Sequence, residues 1–450
     1  AKEWGGSILV GPWDHRESRR GTKGFPEGMF DFKAEHLKWF DSCLKGKKNG
    51  FDEKPPFMYY TQNAGAGNYW RCSDTWPLES ERMMTLYLSD EKSNTVDSVN
   101  DGVLSQTKPA SESGADYKVD LSVKVFDDGQ GGELDRMHMT WDGDMTPGVD
   151  KKGLTFTSAP LFRMYQNEIT GTTPVDLWVS CTQKDADFIL FLEEVFPDGR
   201  SKYVTMGCQR ASHRTSEPRE AWNECGATYH PCMRADMERC LEEGMDKPVH
   251  LQFHLEPISY VFQKGSRIRL TLVCSAETAF QHNIYDPENL PTVTLYQGGD
   301  HASFIRIPFV EHTENVYNGT VELDGETGPG TLYFFNKHTY LYANGMWHRY
   351  ESNGPEMKYT MEAGKAVFAA GFTFHLEGNP KMDGILQHYE GGDKETVPFP
   401  AKRSQIVAQV PVTPKEDILF APDVKTLKLE VFASEDGNKK APCIVYIHGY

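Results

Sequence analysis

Near the start of the chain an apolar run, Ile8, Leu9 and Val10, stops at Gly11-Pro12, and Trp13, Asp14 and His15 follow. That is how a buried strand of a parallel sheet ends, its last side chains passing into a loop at the carboxyl edge, where ligands and catalytic groups collect. A histidine there can accept a proton and return it near neutral pH, which makes His15 a candidate general acid–base. The plain alternative is a loop histidine that hydrogen-bonds a carbonyl. The sequence offers His15 no obvious serine to activate. No Gly-x-Ser-x-Gly occurs in the 450 residues, and Gly5-Gly6-Ser7-Ile8-Leu9 has Leu9 where the last glycine belongs. Asp14 is adjacent in sequence and poorly placed to bond His15 from behind.

Other residues of chemical type read as structural. His250 and His254 are four apart, a metal spacing on a helix, but they stand in an alternating segment, opposite Leu251 and Phe253, on what reads as a solvated sheet face. Cys225, Cys232 and Cys240 lie near His230 without the close pairs of a zinc site. "DADF" (185–188) lacks calcium-loop spacing and reads as a turn. Trp70 and Trp76 either wall a pocket or pack a seam between domains, with packing preferred. No metal and no cofactor is expected.

These residues must be carried by two kinds of element. "FDFKAEHLKWFDSCLKGKKNG" reads as a helix on the spacing of Phe30, Leu37, Phe40 and Leu44, stopped by the basic, glycine-ended stretch 45–50. Strand plus helix makes one α/β unit. From about residue 55 the pattern turns to β, with "PFMYYTQ" and "MTLYLSD" as strands. The polar stretch from Ser89 to Asp116 reads as a loop or insertion. From about 153 to 310 alternation is clearest: Val249, Leu251, Phe253 and Leu255 share one face, as do Ile268, Leu270 and Leu272, with "SYVFQKG" between them. "FPDGR" is a hairpin turn, with Gly199 taking the positive φ. Short strands at this spacing predict a β-sandwich running from Leu154 to Val310. Residues 311–415 read as a small β-rich module with an Asn-Gly turn. "TLKLEVFAS" and "CIVYIHGY" close the chain as strands.

Composition is that of a globular protein: 38% hydrophobic, 25% charged, and rich in aromatic residues, glycine and proline. A formal charge of −18 without a basic stripe excludes nucleic acid as a partner class. No run of apolar residues is long enough for a membrane span. Nine scattered cysteines without a Cys-x-x-Cys read as free thiols in a reducing, cytoplasmic compartment. Strands with open edges also leave room for a homo-oligomer.

"GPWDH", "EHLKWFDSCLKG", "YWRCSDTWPL", "LTFTSAPL", "DADFILFLEEVFPDGRS" and "GSRIRLTLVCS" occur in the order seen in the cocaine-esterase / X-Pro dipeptidyl-peptidase family of serine hydrolases, which residues 5–310 resemble. The resemblance implies the last strand and helix of an α/β-hydrolase domain (1–50), then a jelly-roll β-sandwich (51–310), in a mainly β chain. It makes His15 the triad histidine. In α/β-hydrolases the histidine comes last, so the serine and the acid would lie upstream of this sequence. On that reading the chain is an interior fragment, not competent alone, of an enzyme cleaving small-molecule esters or X-Pro dipeptidyl amides. Residues 425–450 resemble the opening of a second carboxylesterase of the feruloyl-esterase or hormone-sensitive-lipase type. The segment 416–450 would then begin a second α/β-hydrolase, with His448 and Gly449 at its oxyanion hole. Tyr450 replaces the second glycine of that motif, and an ordinary buried strand is the alternative. The competing function is a non-catalytic jelly-roll module of the carbohydrate-binding kind.

Overall fold

The computed structural model describes residues 7–13, 25, 28, 30–64, 69–125, 149–161, 167–219, 225–242, 247–276, 284–310, 315–362, 365–376, 413–419 and 428–433. They are mainly β. The chain opens with a parallel crossover. β1 (Ile8–Val10) pairs parallel with β2 (Phe57–Tyr60), Leu9 opposite Met58, and α1 (Phe32–Lys45) lies in the connection. Asp31 caps α1 by accepting from the Ala34 amide at 3.1 Å, and Gly46 ends it in the left-handed region. Phe30 therefore stands before the helix rather than on it, buried among other aromatic residues.

β3 (Trp70–Ser73) completes this small sheet, antiparallel to β2. β2 is buried along its length, but Ile8 and Val10 of β1 are 43% and 56% exposed. This corrects the expectation of a buried opening strand. Ile8 and Val10 project to one face of β1 and reach solvent there, whereas Leu9, on the opposite face, packs against buried clusters.

The strands β4 (Glu81–Ser89), β5 (Asn100–Ser105), β6 (Ser113–Lys118), β7 (Leu154–Ser158), β8 (Glu168–Cys181), β9 (Asp187–Val195), β10 (Ser201–Arg210), β11 (Val249–Val261), β12 (Arg267–Val273), β13 (Thr292–Gln297) and β14 (Phe304–Val310) form one sheet. Its order is β10-β9-β12-β7-β5-β4-β14-β8-β13-β6, with β11 also on β8. Neighbours are antiparallel except β5 and β7. The sheet curls until β10 meets β11: Thr205 Oγ1 donates to the Glu256 carbonyl at 2.9 Å. Val249, Leu251, Phe253 and Leu255 are buried as their alternation requires, and so are Ile268, Leu270 and Leu272. The "FPDGR" turn joins β9 to β10 with Gly199 at φ 86°.

Two readings of this region are corrected. Ser89–Asp116 is not a loop but carries β5 and most of β6, because pairing with β4, β7 and β13 supplies what its polar composition does not. Between the two alternating segments, Ser259 to Val261 continue β11 past a bulge between Leu255 and Ile258. The sheet also begins upstream of Leu154, since β4, β5 and β6 lie within it.

A third sheet holds β15 (Asn315–Leu323), β16 (Glu326–Phe334), β17 (His338–Ala343), β18 (Met346–Glu351), β19 (Tyr359–Glu362), β20 (Lys365–Phe368) and β21 (Phe372–Leu376), in the order β18-β17-β16-β15-β21-β20-β19, all antiparallel. Asn344 and Gly345 turn β17 into β18, both at positive φ, 52° and 78°. β22 (Thr413–Leu419) and β23 (Lys428–Ala433) pair with each other. Among the described residues no helix is long and apolar enough to cross a membrane.

Candidate active site

The loop after β1 leaves the carboxyl end of a parallel strand, and its first residues lock one another in place. A Cβ on Gly11 would lie 2.4 Å from the Trp13 indole, so only glycine lets Trp13 fold back over the chain. Trp13 Nε1 donates to the Gly28 carbonyl at 2.5 Å. Its ring meets Phe32 edge-on at 4.6 Å and lies 5.7 Å from Trp70 and 5.8 Å from Phe30. Phe25, Phe30, Tyr60 and Trp70 are the buried members of this aromatic cluster, with Leu9 and Trp13 against it. Each aromatic pair of this kind adds about 0.5–1.5 kcal/mol beyond its burial. Trp13 is thus an anchor, a role its sequence position alone did not reveal. Asp14 and His15 lie outside the described residues, as do His448, Gly449 and Tyr450.

Both tryptophans are packed. Trp70 is buried in the cluster just described, and Trp76 packs beside Tyr59, Leu78 and Val310, where the small sheet meets the end of β14.

His250 and His254 stand, as alternation requires, on the face of β11 that carries exposed Gln252 and Glu256, and neighbours half-bury both rings. His250 stacks on Trp178 at 4.8 Å and places Nε2 3.1 Å from Asp176 Oδ1, which also accepts from Gln252 at 2.9 Å. Burial raises the Asp176 carboxyl, but those two hydrogen bonds and the nearby Arg306 outweigh it and hold it below its usual range. Asp176 lies in the lining of a groove of about 350 Å³ with Gln252, Thr228 and Arg306. His254 Nδ1 accepts from the Thr228 amide at 3.0 Å. Burial pushes both His254 and His230 down, which favours the neutral ring. Among the described residues no group of three or more His, Cys, Asp or Glu is arranged to hold a metal. Asp185 is a turn residue, accepting from the Ser212 amide and hydroxyl at 2.9 and 2.7 Å.

Two polar constellations went unread in the sequence. Asp74, in the turn after β3, accepts from Tyr340 Oη at 2.6 Å and faces His338 Nδ1 at 2.8 Å. Arg269, 1% exposed on β12, reaches Asp150 Oδ2 at 2.9 Å and Thr157 Oγ1 at 3.1 Å. Neither shows a local signal, because the partners come from distant segments.

Residues 49–306 match the family described as the X-Pro dipeptidyl-peptidase C-terminal non-catalytic domain, and the chain belongs to that family, among the esterase and X-Pro peptidase hydrolases. A Mycobacterium bovis protein that carries a serine esterase name is 31% identical over 320 residues, 68% of this chain and 46% of that protein. Cocaine esterase from Rhodococcus sp. is 26% identical over 323 residues, 68% of this chain and 51% of that enzyme. The chain therefore spans about half the length of the curated relatives it matches. Among solved structures, an aminopeptidase from a Thaumarchaeota archaeon is similar at 20% identity and a TM-score of 0.48, covering 68% of this chain and 50% of that one.

Proposed function

We propose that these residues form the distal part of a serine acyl hydrolase that cleaves small-molecule esters or X-Pro dipeptidyl amides. His15 is its general base and acid: the imidazole takes the serine proton as the acyl carbon is attacked and passes it to the leaving group as the tetrahedral adduct collapses. On this reading the serine and the carboxylate that orients His15 come from outside these 450 residues, which carry no Gly-x-Ser-x-Gly. On this reading residues 1–50 close an α/β-hydrolase domain and 51–310 form a jelly-roll domain. Residues 311–415 form an added β-rich module. Residues 416–450 open a second hydrolase, with His448 and Gly449 at its oxyanion hole.

The observation that carries the reading is the anchored loop: a parallel strand ends in Gly11-Pro12-Trp13, and the indole of Trp13, two residues before His15 in the sequence, is pinned by a hydrogen bond and three rings. The test is turnover of an activated ester by the full-length enzyme carrying His15→Ala, with a thermal melt alongside. Loss of a triad member costs on the order of 10⁴ to 10⁶ in turnover, whereas a loop substitution changes stability by about 1 kcal/mol or less. Near-full activity in the folded variant would end the catalytic reading.

A further inference from the structure

The third sheet, residues 315–376, lies beyond the 49–306 family match, yet one of its faces is built into the small sheet. Tyr333, Tyr340, Tyr342 and Trp347 form one buried cluster with Met58 of β2 and Cys72 of β3, and Leu9 of β1 packs against it. Leu9 also packs against the aromatic cluster that holds Trp13. One side chain of a three-residue strand thus joins the floor supplied by the third sheet to the anchor of the Gly11-Pro12-Trp13 loop.

Polar contacts fix the same interface. Tyr340 and His338 converge on Asp74, which is 8% exposed, while His338 is 15% exposed. Asn336 Nδ2 donates to Glu79 Oε2 at 2.6 Å, and the Arg349 amide donates to Glu53 Oε2 at 3.3 Å. Of the three β1 side chains, Ile8 and Val10 are exposed among the described residues, and Leu9 is the one that packs inward.

We propose that the third sheet is the back support of β1 and that Trp347 and Tyr340 are positioning residues for the loop that carries His15. They act through Leu9 and Trp13 and touch no substrate. The inference rests on the catalytic reading of His15, so its test has one readout that does not.

The experiment compares full-length wild-type enzyme with Trp347→Ala, Trp347→Phe and Tyr340→Phe, measuring amide hydrogen exchange at residues 8–13 and steady-state ester turnover. Trp347→Ala should speed exchange at 8–13 while leaving β12 protected. It should lower kcat on the order of 10- to 100-fold, the scale of a small misplacement of a catalytic group, with KM changed much less. Trp347→Phe should restore most of both. Tyr340→Phe, which deletes one hydroxyl, should show the same signs more weakly, and it decides the matter if Trp347→Ala does not fold. Unchanged exchange at 8–13 in folded variants would overturn the support. Faster exchange with wild-type kcat, in an enzyme that His15→Ala inactivates, would overturn positioning. Full turnover by His15→Ala would mark failure of the catalytic reading, and the exchange data would still decide the support.

Discussion

Glu193 stands directly opposite Arg269 in the ladder between β9 and β12, and both side chains are buried, at 0% and 1% exposure. Burial pushes the Glu193 carboxyl from its ordinary 4.5 up to about 7, against the pull of Arg269. Between those values the folded chain holds a proton that the unfolded chain has released. The stabilisation is therefore complete below about pH 4.5 and is lost as pH rises through 7, a loss of about 3 kcal/mol. Glu81, also raised to about 7 by burial, adds a slope of the same sign. Glu193→Gln should flatten the wild-type decline between pH 5 and pH 8 and be the more stable protein at pH 8. Urea melts at both pH values measure this; parallel pH dependence in the two proteins would refute it.

Arg269 is the buried cation of a polar network in which Asp150 is its acidic partner. It pairs with Asp150 at 2.9 Å and bonds Thr157, with Thr95 Oγ1 at 3.2 Å. Arg269→Ala leaves Asp150 without that cation and should cost about 3–5 kcal/mol in denaturant melts. A loss below about 1 kcal/mol would mean the network is relaxed or hydrated.

Gly11 sets the seat of Trp13. Gly11→Ala places a methyl where the indole lies and should displace the ring, quenching or shifting its fluorescence. Ester turnover of the full-length enzyme should fall with it while the melt of the large sheet stays in place. Wild-type kcat from a variant with displaced indole would show that Trp13 is not needed to hold the loop.

Two other glycines separate sterics from backbone strain. At Gly207 a Cβ would meet the His254 carbonyl at 2.4 Å, so Gly207→Ala should cost about 1–3 kcal/mol by forcing β10 from β11. At Gly345 nothing lies within 4 Å of a Cβ, but φ is +78°, so Gly345→Ala should cost about 1–2 kcal/mol through conformation alone. Equal tolerance of alanine at Gly207 would show that the closure of the curled sheet yields easily.

Sequence alone determined what local chemistry encodes. Alternation put Val249, Leu251, Phe253 and Leu255 on the core side, turn residues marked Gly199 and Asn344-Gly345, and helical spacing with a glycine stop located α1. The same local logic singled out His15, because a strand ending in a loop is visible in adjacent residues. Tertiary structure decided whatever depends on partners far along the chain. β5 and β6 are strands because β4, β7 and β13 offer them backbone partners, although their own composition reads as a loop. β12 buries Arg269 and Thr271 as well as its apolar face, since elements lie on both sides of it; period-2 patterning tells which residues share a face, not whether that face meets water. Asp74 and Tyr340 are 266 residues apart, and only the packing of the third sheet on the small one brings their oxygens to 2.6 Å. Periodicity is a property of neighbours in sequence, whereas burial of a polar group needs a partner whose position the fold alone supplies.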